Sequence, residues 1–305
     1  MPLLSSPPEV DLPPLPPLPL LQRMFADERT HRAIPFAVGI ALARLRVELF
    51  WRTSPGGRRD ARRAMEFLLG GAGQSAAGSR LAKRHVFENA RRTELLWRPA
   101  LSARLPRQGV EALRRLQAEG RGVVLTFMHQ GPYLGFLAVL ADEGLEVHMP
   151  VAPFYYDTPV PGYMGHRDRQ HLRTVLAAAE AFPADGKGLL AMPRLLRAGK
   201  ILMLPIDLPG DGEAEFLGRR VRTVTAAARL AWRTGAVVVP ATVHRRPLLP
   251  EGRVGTPLEP KDFPDWRALH AEIARRHDTA LGEWPEALER PFLRWTPVEE
   301  GSWSP

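Results

Sequence analysis

GRGVVLTFMHQG, residues Gly120 to Gly131, is the stretch that decides the fold. Val123 to Phe127 is a short, continuous apolar run bounded by glycine, the signature of a strand buried on both faces. The run ends on Met128 and His129, and a Gly131-Pro132 turn follows. Working outward, a helix is predicted over Val110 to Glu119. Another should run from Pro132 to Ala141, proline being suited to a first helical turn. Further strands are predicted at Leu145 to Val151, Ile201 to Ile206 (ending on Asp207) and Ala236 to Val243. Between them helices are expected at Arg169 to Ala181, Leu189 to Ala198 and Val224 to Thr234. Strands alternating with helices imply right-handed crossovers and a mainly parallel sheet covered on both faces, an α/β fold. Ligands of such sheets sit beyond the carboxyl ends of the strands. His129 stands at that end, whereas a core histidine more often lies inside the apolar run.

Upstream the pattern changes. Residues 1–21 are dense in proline interleaved with leucine, which favours polyproline II, and are expected to form a disordered arm. Residues 22–100 read as an N-terminal layer of three helices, broken at Pro55 to Gly57 and at a small-residue loop, Gly70 to Gly78. Their apolar positions include Phe36, Ile40, Ala43 and Val47 on one helix, Met65, Leu68 and Leu69 on the next, and Leu81, His85 and Phe87 on the third. Arg58, Arg59, Arg62, Arg63, Arg80, Arg84, Arg91 and Arg92 mark the opposite faces. An apolar stripe beside a basic flank suits either docking on an anionic membrane surface or an ordinary solvated helical layer. Residues 101–298 then form the α/β core, and 299–305 a tail.

The 42 basic residues outnumber 33 acidic ones, and only four of them are lysines. Guanidinium forks onto phosphate or carboxylate oxygens, so this surface suits anionic partners, although arginine bias also follows from base composition. No module that reads grooves or stacks bases accompanies the charge, so no nucleic-acid partner is expected. The chain has no cysteine, which excludes disulfides and a thiol nucleophile. No secretory signal pattern is seen at its start. The longest apolar candidate, Ile34 to Trp51, is interrupted by Arg44, Arg46 and Glu48 and falls short of a spanning helix.

The stretch Gly122 to Gly135, GVVLTFMHQGPYLG, resembles the strand, histidine and glycine turn of the bacterial lysophospholipid-acyltransferase-like family. That family includes the lipid A late acyltransferases and the phosphatidylinositol mannoside acyltransferases. FLGRRVRTVTAAARLAWRTGAVVVPA, Phe216 to Ala241, is similar to the family's second signature. Asp207 and the run Glu283 to Trp295 match in order and approximate spacing, and the likeness extends over roughly Pro35 to Thr296.

The resemblance implies a glycerolipid-acyltransferase-like fold with a helical N-terminal layer. It also implies acyl transfer from acyl-CoA or an acyl carrier protein to a lipid, sugar or specialised-metabolite acceptor, with His129 as general base and no cofactor. A peripheral position on the cytoplasmic side of the cell membrane goes with it. Gly131, Tyr133, Gly218 and Thr223, with Arg167, Arg169 and Arg173 as candidates for holding phosphate or an oxyanion, are the implied substrate-binding positions. The family carries an acid five positions after its histidine; here that position is Leu134. Three readings follow: Asp207 supplies the missing carboxylate, the acceptor needs less activation, or the chain is a degenerate homologue that binds a lipid or partner. His148, His166 and His171 lack metal-ligand spacing, and no metal is expected. Neither DGKG (Asp185 to Gly188) nor DLPGDG (Asp207 to Gly212) carries a nucleotide-loop pattern. Phe154, Tyr155 and Tyr156, followed by Pro159 and Pro161, are expected to form a loop beside the pocket.

Overall fold

The computed structural model describes residues 14–70, 76–157, 160 and 162–298. Helices α1 (Leu20–Phe25), α2 (Glu28–Ala33), α3 (Phe36–Thr53), α4 (Pro55–Leu69), α5 (Ala76–Leu96) and α6 (Pro99–Ser102) precede the sheet. The core contains β1 (Arg107–Gln108), α7 (Val110–Ala118), β2 (Val123–Phe127), α8 (Tyr133–Asp142), β3 (Val147–Val151), α9 (Phe154–Asp157), α10 (Gly162–Ala178) and β4 (Glu180–Pro183). It continues with α11 (Gly186–Arg197), β5 (Ile201–Pro205), β6 (Gly212–Phe216), β7 (Arg219–Thr223), α12 (Ala226–Thr234), β8 (Val237–His244), β9 (Glu251–Val254), α13 (Trp266–Glu283) and β10 (Thr296–Pro297).

A seven-stranded sheet runs β1-β9-β8-β2-β5-β3-β4, and every pairing is parallel except β8 with β9. The architecture is the expected one, a mainly parallel sheet flanked by helices with a helical N-terminal layer. The period-two alternation of β2 divides its side chains between two cores. Val123, Leu125 and Phe127 face Leu137 of α8 and Leu172 of α10, while Val124 and Met128 face Ala228 of α12 and Leu269 of α13. A side chain on Gly122 would meet the Leu196 carbonyl oxygen at 2.1 Å, so glycine is required where α11 crosses the start of β2.

Several boundaries depart from expectation. The helix foreseen at Arg169 to Ala181 begins at Gly162 and stops at Ala178, leaving β4 as an edge strand. The break foreseen at Pro55 to Gly57 falls at Ser54, between α3 and α4; Pro55 opens α4, where the Ser54 hydroxyl accepts from the Gly57 amide at 3.2 Å. Two short helices, α1 and α2, precede the three expected ones. The small-residue loop foreseen at Gly70 to Gly78 lies partly outside the described residues, and α5 begins at Ala76. The proline-rich arm is not free throughout. Its first 13 residues lie outside the described ones, but Leu18 is buried, its carbonyl accepts from Arg23 at 2.7 Å, and the Pro16 carbonyl meets His166 Nε2 at 3.1 Å. Residues 299–305, the expected tail, also lie outside the described residues.

In α3 the expected stripe of Ile40, Ala43 and Val47 is buried in contact with the neighbouring helices rather than offered to a surface. A second apolar row, Val38, Leu42, Leu45 and Leu49, stands in solvent instead, with Leu45 65% and Leu49 61% exposed. Arg44, Arg80, Lys83 and Arg84 line the groove between α3 and α5 beside it. Among the described residues no helix is long and apolar enough to cross a membrane.

Candidate active site

β2 and β5 are neighbours, and their parallel register sets Phe127 opposite Pro205. Carried two residues further, that register brings His129 beside Asp207. The imidazole Nδ1 lies 2.8 Å from Asp207 Oδ1, and the His129 amide donates to Oδ2 at 2.8 Å. One carboxylate therefore fixes both the backbone and the ring. Against a carboxylate acceptor Nδ1 is the donor, and in the neutral ring the lone pair is then on Nε2. Nε2 has no hydrogen-bond partner among the described residues.

Asp207 is fully buried. Burial pushes its carboxyl pKa upward, but His129 and then Arg294, 3.9 Å from Oδ2, outweigh that and hold it below the ordinary value. Thr223 donates its hydroxyl to the Ile206 carbonyl, just before Asp207. His277 on α13 meets Thr126 Oγ1 at 2.9 Å on the other face of β2. Burial lowers the His277 pKa to about 4, with Asp207 opposing, so this second imidazole is neutral.

Residues after α13 wrap the exit of β2. The Gly131 amide donates to the Ala287 carbonyl at 3.0 Å, and the Glu289 amide to the His129 carbonyl at 2.8 Å. Gly131 has φ +57, and a Cβ there would sit 2.8 Å from the Trp284 ring, so no other residue turns the chain this way without strain. Arg290 also adopts a left-handed conformation (φ 47, ψ 62), a departure that clusters at functional sites.

A cleft of about 240 Å³ opens over this corner, its walls including Phe127, His129, Tyr133, His171, Leu208 and Arg294. Behind Tyr133, His171 and Glu289 lies a smaller cavity of about 30 Å³, bordered by Leu95, Leu134 and Thr174. Leu134 is 7% exposed and borders that inner cavity but not the cleft. The partner of Nδ1 comes from the neighbouring strand, not from α8.

The structure sorts the other predicted positions. Tyr133 packs edge-on to His129, ring centroids 4.9 Å apart, and its hydroxyl reaches Glu289 Oε2 at 3.4 Å. Arg167 is at the wall of the inner cavity, paired with Asp168 at 3.0 Å. Arg169 and Arg173 border neither cavity; they lie further along α10, and Arg173 is exposed. Gly218 (φ +72) is the tip of the β6–β7 hairpin, a turn position that does not border the cleft. Thr223 is buried beneath Asp207 and supports the backbone instead of facing a ligand. Phe154, Tyr155 and Tyr156 form the short helix α9 rather than a loop; Pro159 and Pro161 lie outside the described residues.

Two residues were not foreseen as parts of the site. Arg92, placed by its sequence pattern on an outer basic face, points inward and meets Glu289 Oε1 at 2.9 Å. Glu289 is buried, which would raise its pKa, yet Arg92 and Arg294 hold it far below the carboxylate range. Its signal in the sequence was a lone acid between Leu288 and the Arg290-Pro291 turn, inside the otherwise matched run Glu283 to Trp295.

No sequence-family model matches the chain, and no curated protein matches it. Among solved structures, it is similar to the crystal structure of the 1-acyl-sn-glycerophosphate (LPA) acyltransferase PlsC from Thermotoga maritima. The identity is 12%, covering 74% of this chain and 96% of that one, with a TM-score of 0.37.

Proposed function

We propose that this chain is an acyltransferase that moves an acyl group from a thioester of coenzyme A or an acyl carrier protein to a hydroxyl acceptor at a membrane surface. The observation that carries the reading is the His129–Asp207 pair at the ends of adjacent parallel strands, with Nε2 left free at a cleft. The two sequence blocks that resemble lysophospholipid acyltransferases fit it. Nε2 takes the proton of the acceptor hydroxyl as its oxygen bonds to the thioester carbonyl carbon. The C–S bond then breaks, and the departing thiolate recovers the proton from the imidazolium. Asp207 stays ionised and holds the ring in the productive tautomer, the His-carboxylate logic of hydrolase triads. Arg294 at the cleft wall is placed to steady developing negative charge.

The exposed row of α3 with its basic groove supports peripheral docking, on the cytoplasmic side of the cell membrane in this reading. Burying two leucines contributes about 1.5–3 kcal/mol each. Leu45→Glu with Leu49→Glu is accordingly expected to lower co-sedimentation with anionic vesicles at least tenfold while turnover of soluble short-chain substrates changes less than twofold.

The central test is acyl release from a panel of acyl thioesters with lipid, sugar and amine acceptors present. Transfer by the native chain, abolished in His129→Ala, is the expected result. Leu134, standing where the family carries an acid, favours a second reading, a lipid- or partner-binding homologue without turnover. Inertness across the panel, with ligand binding retained, would establish that reading instead.

A further inference from the structure

Where α3 packs against α5, a groove of about 320 Å³ is lined by Arg44 and Glu48 from one helix and by Arg80, Lys83, Arg84 and Phe87 from the other. Helical spacing puts 80, 83, 84 and 87 on one face of α5 and 44 and 48 on one face of α3, so their charges converge across the groove. Four cations meet a single anion there. Lys83 pairs with Glu48 at 2.5 Å, and the Arg44 guanidinium lies over the Phe87 ring, 5.3 Å from its centroid. Arg44, Arg80 and Arg84 are exposed and form no ion pair among the described residues. A cleft lined by one sign of charge focuses its field on a counter-ion, and guanidinium forks onto phosphate oxygens.

The apolar row beside the groove decides between anionic partners. Leu45 stands about 100° around α3 from Arg44, and Leu42 and Leu49 continue the same exposed row. A soluble polyanion would cover the arginines and leave the leucines in water. A second copy of the chain would cover the leucines but bring two basic flanks together, and like charges so placed oppose association. A bilayer lipid meets both features at once, its phosphate in the groove and its acyl chains along the leucines.

We infer that the α3–α5 groove binds the headgroup of one anionic glycerophospholipid, with Arg80 and Arg84 closing on its phosphate opposite Arg44. The inference rests on the membrane-docking reading and replaces diffuse attraction of charge with one defined site.

Dihexanoylphosphatidylglycerol, kept below its micelle concentration, is the probe, titrated calorimetrically into the full chain. One molecule per chain is expected, with dihexanoylphosphatidylcholine and the chain-free headgroup glycerophosphoglycerol each at least tenfold weaker. Arg80→Gln with Arg84→Gln should weaken the probe at least tenfold. Arg115→Gln with Arg197→Gln removes the same charge from exposed positions on α7 and α11 and should change it less than twofold. An unchanged affinity in the first pair, an equal loss in the second, or equal binding of the phosphatidylcholine would overturn the site. Glycerophosphoglycerol binding as tightly as the lipid would assign the groove to a soluble phosphate and overturn it too. So would a lipid-free dimer that Leu45→Glu with Leu49→Glu dissolves, since the row would then belong to a second copy. Co-sedimentation with anionic vesicles that survives Arg80→Gln with Arg84→Gln and is lost in Leu45→Glu with Leu49→Glu would sink the site and leave docking standing. One-to-one probe binding that needs Arg80 and Arg84, without vesicle co-sedimentation, would do the reverse.

Discussion

Two histidines border one cleft, and only one of them is held by a carboxylate. His129 ends β2 with Asp207 on Nδ1; His171 lies on α10, stacked on Tyr155 and deep enough that burial brings its pKa to about 3. The proposed function makes the first imidazole a base, whereas burial keeps the second neutral. The difference lies in the register of two strands, since β5 delivers its acid only to the imidazole at the end of β2.

That comparison can be broken most sharply at the acid. Asp207→Asn is expected to lower kcat for acyl transfer roughly 10³–10⁴-fold, because the amide no longer fixes the tautomer or stabilises the imidazolium. His129→Ala should match it within about tenfold, measured by thioester consumption. His171→Asn, by contrast, should raise the acceptor KM about tenfold with kcat little changed. If His171→Asn costs as much kcat as His129→Ala, the two imidazoles are not distinct in role.

The acid dependence of stability sharpens the contrast further. The His171 pKa is lowered on folding, so between its ordinary value of 6.5 and about 3 the unfolded chain binds a proton that the folded chain does not. Stability therefore falls as pH drops through this window. His85 and His277, each lowered to about 4 chiefly by burial, add to the same slope. Asp207, whose pKa is lowered, contributes stability that is complete above the ordinary 3.8 and is lost only below it. Thermal melts from pH 7.5 to 4.5 should show a falling Tm in the native chain and a shallower fall in His171→Asn. Asp207→Asn removes the charge that opposes the His277 shift, so its fall over that range should be at least as steep as that of the native chain.

The smallest expected effect is the most diagnostic of where the family's acid went. Leu134→Glu placed in the Asp207→Asn background should leave turnover within about twofold, because position 134 borders the inner cavity and not the cleft. A recovery of tenfold or more would show that α8 can still serve Nδ1.

The strand that carries the histidine was legible because β2 is buried on both faces and reads as an unbroken apolar run. Asp207 was legible for the same reason, standing just past the second such run. β4 was not: the Glu180–Pro183 edge is half exposed, and no buried alternation marks it against the preceding helix. Arg92 was misplaced because arginine is ordinarily read outward, and only the distant Glu289 turns it in. Glu289 itself has no local pattern. Its partners come from α5, the exit of β2 and the turn at Arg294, and proximity of that kind is set by tertiary structure. Arg173 and Gly218 were drawn into the site by order along the chain, although a helix face and a hairpin tip carry them away from it.

The late wall of the cleft has a consequence for how the protein is made. Tyr133 and Glu289 are 156 positions apart. At roughly 5–20 residues added per second, β2 leaves the ribosome about 8–30 s before its closing partner exists. Through that interval the nascent chain holds Arg92 without its counter-ion and the His129 carbonyl without its donor. Asp207 arrives about halfway, so both members of the His129–Asp207 pair are synthesised before the wall that encloses them.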